Sequence, residues 1–389
     1  MARFSAYRSL AVALFAVTLA VFPAPPLRAV ERQAGPPPPS LAEPDTESVR
    51  QVNDAARYCA GLPVSDKSPL YILTQTDAWK AFAEKENARW KSLEPIARKV
   101  RTWANDNLRP RTPDTGVVFY PFGGPDILYA DLFFPEAKLY ILVGLEAVGS
   151  FPNEQAILDR PLAPFLEGFR RGLDDIFRYS FFARFDMEAQ LSPRTLTGVL
   201  PIFLVLLARM GDEVVSFETG GLDAWGMFRS RGAVPEGAEP NRALRIRYRG
   251  PEKRGLTTLV FLSQDLSNEK VDGNLGFGAF LDRTLPDCFT FIKAASYLMH
   301  NKGFSLIRNR ILRDSAAVLQ DDSGIMYRMF DPLIWKTAIF GTYTGPIKMF
   351  KEYHEDSLAA AVPKDNKPLD FRFGYGKGSL ITWAVKKVQ

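Results

Sequence analysis

The sequence predicts an α+β, or irregular α/β, fold: a helical N-terminal portion packed on a body of mixed helices and strands. Three observations carry this. Between residues 45 and 110 the apolar residues recur at helical spacing. From Thr115 onward, short β-branched and aromatic runs that end in glycine interleave with further helical stretches. No repeat or heptad is present, and helix and strand do not alternate strictly, so a regular parallel βα array is not expected.

The first 29 residues stand apart. Arg3 and Arg8 precede the run SLAVALFAVTLAVF, and PAPPLRA follows it. A basic start, a short apolar middle and a small-residue exit are the layout of a secretory signal peptide, with cleavage after Ala29. The run is shorter than the ~20 residues of a spanning helix. An uncleaved anchor is the competing reading. The expectation is a periplasmic or secreted protein with no stable membrane span once the leader is gone. Four consecutive prolines make residues 30–44 an extended, solvated linker.

Loss of the leader removes Arg3, Arg8 and Arg28 and no acid, so the formal net charge falls from +5 to +2. That gives no case for a nucleic-acid partner, which needs a clustered basic face. The two cysteines, Cys59 and Cys288, leave two readings open: a disulfide in an oxidising compartment, or two buried thiols.

The elements follow in order. A helix begins near Thr46. A second spans Asp77 to Asn107, with Trp79, Phe82, Trp90, Leu93, Ile96, Val100 and Trp103 as one apolar stripe. The body, residues 111–389, opens with strands in GVVFYPFGG and KLYILVGLEAVG. A helix over residues 161–182 carries Leu162, Phe165, Leu166, Phe169, Leu173, Ile176 and Phe177 on one face, and another ends at Gly211. DEVVSFET reads as a strand, and residues 243–267 as a hairpin turning at Gly250–Gly255. Arg245, Arg247 and Arg249 share one face of its first arm, read as a solvated face rather than an anion site. CFTFIKAASYLMH and FSLIRNRILRDSAAVL are predicted as helices. LIWKTAIFGTY is predicted as a strand and MFKEYHEDSLAAA as a short helix.

Composition removes several chemistries. His300 and His354 are the only histidines, so a three-histidine zinc site is excluded, and no HExxH or CxxC motif exists. His300 reads as a cation at a helix end, and His354 as part of a solvated face. No cofactor fingerprint is present, because the tail glycines around Lys377 lack the dinucleotide spacing and setting. SNEK at Ser267–Lys270 matches a serine–lysine spacing without the motifs that accompany it.

Two glycine-bearing acidic loops remain. In YPFGGPD, Asp126 is the acid, with Tyr120, Gly123 and Gly124 beside it. In QDDSGIMYRMF, Asp321 and Asp322 stand with Ser323 and Arg328, and Tyr343 lies between glycines further on. Glycines let backbone approach a ligand, and tyrosines offer a flat face with a hydroxyl. The functional expectation is an exported envelope protein with a carboxylate- and aromatic-lined cleft. That cleft binds a glycan or glycopeptide and, if it is an enzyme, hydrolyses it through Asp126 with Asp321 or Asp322. The alternative is a non-catalytic structural or interaction protein in which Asp126 caps a helix and the second loop is a turn.

Overall fold

The computed structural model describes residues 45–108, 116–179, 198–233, 242–251, 255–375 and 378–387. The chain divides into Met1–Pro39 and Ser40–Gln389. The leader over 1–29 and the linker over 30–44 lie outside the described residues. So do Lys377 and the middle of the Gly250–Gly255 turn.

Helix α1 spans Thr46–Cys59, α2 Tyr71–Thr74 and α3 Asp77–Asn107. Asp45 and Thr76 cap α1 and α3 by accepting from Ser48 N and Trp79 N, donors with no partner inside the helix. Pro95 sits within α3, where it removes one backbone donor. At its far end Trp103 meets the rings of Phe133, Phe340 and Phe371 edge-on.

Strand β1 (Val117–Tyr120) passes through the glycine loop into α4 (Ile127–Phe133) and then β2 (Leu139–Gly144). Next come α5 (Glu154–Leu158) and α6 (Leu162–Tyr179). On α6, Phe165, Leu166 and Phe169 are buried, while the side chains of Leu173, Ile176 and Phe177 lie outside the described set. Helix α7 (Leu200–Met210) is buried from Leu200 to Ala208, as its all-apolar run requires. Pro201 is tolerated in its first turn, and Gly211 ends it at φ 83°.

Strands β3 (Glu213–Leu222), β4 (Phe228–Ser230), β5 (Ala243–Arg249) and β6 (Thr257–Ser263) pair antiparallel in the order β4-β3-β5-β6. Arg245 faces Glu218 across the β3–β5 pair at 2.9 Å and lies over the Phe228 ring, so this member of the arginine face is internally paired. Helices α8 (Asn268–Asp272) and α9 (Leu275–Thr284) follow, then β7 (Phe289–Ile292), α10 (Ser305–Asp314) and β8 (Ala317–Gln320). The chain closes with β9 (Trp335–Gly341), α11 (Asp356–Ala361) and β10 (Leu380–Lys386).

Two predicted helices are corrected here. CFTFIKAASYLMH holds strand β7 and a tight turn, and FSLIRNRILRDSAAVL holds α10 followed by β8. Both strands lie inside the sheet and are buried on both faces, so they read as continuous apolar runs without the alternation that marks a half-buried strand. Ser267, in the SNEK stretch, is the residue preceding α8.

The ten strands form one mixed sheet, β4-β3-β5-β6-β2-β1-β7-β8-β10-β9. The segment β6-β2-β1-β7-β8 is parallel throughout. Numbered along the chain, those parallel strands run third, second, first, fourth, fifth. Strand β10 is antiparallel to both of its neighbours, β8 and β9. Side chains alternate between two cores: Val118, Tyr120, Phe289 and Phe291 enter one, with α1, α3, α4 and α7, while Phe119, Ile141 and Ile292 enter the other, with α9 and α10. The fold is α+β with a doubly covered parallel centre. Cys59 belongs to the first core and Cys288 to the second, and both are free buried thiols. No helix among the described residues is long and apolar enough to cross a membrane.

Candidate functional site

From β1 the chain steps to β2 on one side, while β7 lies on the other. In open parallel sheets such a reversal leaves a crevice at the carboxyl ends of the strands, where ligands bind. The two acidic loops leave the sheet at that edge. The first follows β1, and Asp321 directly follows β8.

Asp126 is the N-cap of α4, accepting from Tyr129 N at 3.2 Å through Oδ1. Its Oδ2 accepts from Lys293 Nζ at 2.8 Å and from the Tyr120 hydroxyl at 3.1 Å. Lys293 is the first residue after β7. It is 4 % exposed, and its ammonium lies 3.4 Å from the centroid of the Tyr129 ring. A buried ammonium needs a counter-charge, and Asp126 supplies it. Burial pushes the Tyr120 phenol well above its ordinary range, with the charges of Asp126 and Asp321 adding to the effect. Gly123 packs flat on Tyr120, where a Cβ would lie 2.6 Å from the ring. At Gly124, with φ +53°, a Cβ would come within 3.3 Å of the Glu146 carboxylate, which follows β2.

The next residue along, Ala294, donates its N–H to Asp321 Oδ2 at 2.9 Å. Asp321 Oδ1 accepts from Ser323 N and Ser323 Oγ. Consecutive residues at the end of β7 therefore hold the acids of the two loops, 195 positions apart in the chain. Asp321 is 1 % exposed. Burial, with the neighbouring Asp322 charge adding to it, pushes its carboxyl up to about 7. Asp322 is also raised by burial, opposed by the Tyr297 hydroxyl, which donates to it at 2.5 Å.

Between these contacts the backbone is strained. Ala294, Ser296 and Tyr297 all have φ between 53° and 55°, a region that L-residues rarely occupy. Such strain persists only where surrounding bonds hold it, and it concentrates at functional sites. Here Asp321, Ser323 Oγ on Ala295 N, and Tyr375 on Ala294 O and Ser296 Oγ do the holding.

Around Tyr297 lies a cluster of rings. Tyr353 stacks on it with centroids 5.1 Å apart, and Phe350 and His300 flank it. Tyr343 stacks on His354, and its hydroxyl accepts from Glu355 N. Glu355 in turn accepts from Arg328 N, while the Arg328 side chain is exposed. His300 is not the helix-end cation expected of it. Burial lowers its pKa to about 4, with Arg328 and Arg308 adding to the effect, so it is neutral at pH 7.

The structure thus groups Tyr120, Gly123, Gly124 and Asp126 on one side of the Lys293–Ala294 step, and Asp321, Asp322 and Ser323 on the other, with Tyr343 and Arg328 beyond them. Sequence reasoning missed Lys293, Tyr129, Glu146, Tyr297 and Glu355. Lys293 carried a signal, a cation ending the largely apolar run CFTFI, that the helical reading of that run concealed. Among the described residues no group of three or more His, Cys, Asp or Glu side chains is placed to hold a metal ion. No family model, curated protein or solved structure matches the chain.

Proposed function

We propose that the chain is an exported envelope protein that binds a sugar-bearing ligand at the carboxyl edge of its parallel strands. One observation carries the reading: Lys293 and Ala294 draw the acids of both loops to the point where the strand order reverses. The rings of Tyr297, Tyr343 and Tyr353 and the half-buried Asp322 supply the flat faces and hydroxyl acceptors that sugars use. The proposal is binding rather than turnover. Asp321 has the raised pKa of a proton donor, but at 1 % exposure no substrate atom reaches it without movement. Asp126 is committed to Lys293 and to the α4 cap.

A second reading has its own support. A glycine loop after the first strand, followed by an acid just after the second, is the arrangement with which doubly wound sheets hold a ribose. The shared chemistry is a vicinal diol, and one experiment separates the sources. Thermal shift and calorimetry are run with envelope glycan fragments in one arm and adenosine derivatives in the other, on the parent and on Asp322→Asn, Tyr343→Ala and Glu146→Gln. Ligand at about a hundredfold its Kd stabilises by about 2.7 kcal/mol. A glycan shift lost in Asp322→Asn and Tyr343→Ala supports the first reading. An adenosine shift lost in Glu146→Gln supports the second. No shift in either arm sinks both and leaves a non-catalytic structural protein.

A further inference from the structure

A cavity of about 420 Å³ lies between α3, α4 and the end of α7. Its size falls within the ~300 to ~1,000 Å³ of small-ligand sites. Along the α3 stripe Trp79, Phe82 and Val100 are buried, while the half-buried Trp90 and Leu93 line this opening. Leu93 and Tyr129 supply apolar walls. The charged lining is Arg98, Arg101 and Arg209 against the single acid Glu94. Behind this wall the Lys293 ammonium on the Tyr129 ring is neutralised by Asp126, so the arginines set the charge of the lining.

We propose that this cavity binds an amphipathic monoanion, a single apolar chain bearing a carboxylate. The chain lies along Leu93 and Tyr129, and the head meets the arginines, whose planar forks match a carboxylate with two parallel hydrogen bonds. The excess of cations over anions in the lining disfavours a cationic amphiphile, and the apolar walls give a short anion such as acetate nothing to bury. The cavity shares Tyr129 with the Asp126–Lys293 contact, but the proposal does not depend on the carboxyl-edge reading.

The test is calorimetry on the full chain with decanoate, alongside decyltrimethylammonium and acetate. The variant is the double change Arg98→Gln and Arg101→Gln. Both positions are exposed on α3, so the fold should survive; a melting curve checks this. A second variant, Leu93→Gln, probes the wall. The proposal expects saturable 1:1 decanoate binding, weakened at least tenfold by the arginine pair and measurably by Leu93→Gln. Acetate and the cationic probe should bind at least tenfold more weakly. Absence of saturable decanoate binding would overturn it. So would equal affinity for the cationic probe or for acetate, or binding that the arginine changes leave intact.

Discussion

At the scale of single residues, the Lys293–Asp126 pair ties the first acidic loop to the end of β7. Lys293→Met strands a buried carboxylate, and breaking a buried pair costs about 3–5 kcal/mol. Adding Asp126→Asn to that variant should recover part of the loss, because asparagine removes the charge yet still caps a helix. Denaturant titration of the two variants checks this, and a double variant no more stable than the single one would show that charge is not the cause. Asp321 makes a pH prediction. Its folded pKa, near 7, lies above its ordinary 3.8, so the folded state binds the extra proton. That stabilisation is fully present below about pH 4 and is lost as pH rises toward 7. His300, lowered to about 4, works in the opposite sense, contributing above its ordinary 6.5 and losing that contribution as pH falls. The melting-temperature advantage of the parent over Asp321→Asn should therefore be larger at pH 5 than at pH 8. Equal advantages would refute the assignment. Asp126 and the two acids of the second loop were legible from sequence because glycine and aspartate clusters mark turns. Lys293 was not, since a lone lysine declares its partner only in three dimensions.

At the scale of elements, glycines separate fold requirement from convenience. Gly374 has φ +79°, and a Cβ there would lie 2.5 Å from Asp321 Oδ2. Gly303 has open space and an ordinary φ. Gly374→Ala should cost about 1–3 kcal/mol, and Gly303→Ala should stay within about 0.5 kcal/mol; urea midpoints compare them directly. The same scale shows why α3 is legible in the sequence while β7 and β8 are not. Helix α3 keeps its apolar periodicity over thirty-one residues and has a threonine cap, both local signals. Strands β7 and β8 have four residues each and are buried on both faces. A run that short and largely apolar suits a buried helix turn as well as a strand. Only its neighbours in the sheet choose between them.

At the scale of the whole molecule, export is a proposal that chemistry on the intact chain can decide. In a secreting host the recovered protein should begin at Val30, read by intact mass and N-terminal sequencing; material that retains Met1 and stays in the cytoplasmic fraction would remove the export assignment, whereas Met1 retained on exported material would favour the uncleaved anchor. By itself the sequence determined the mixed class, the basic and apolar leader pattern, the long N-terminal helix, the β5–β6 hairpin and the exclusion of a three-histidine zinc site. These follow from composition, period and turn residues, which act over a few positions. Strand order, the reversal between β1 and β7, the Lys293 bridge, the strained 294–297 turn and the α3 cavity were decided only by tertiary structure. Each arises where segments far apart in the chain meet, and there burial, paired charge and sheet register outweigh local preference.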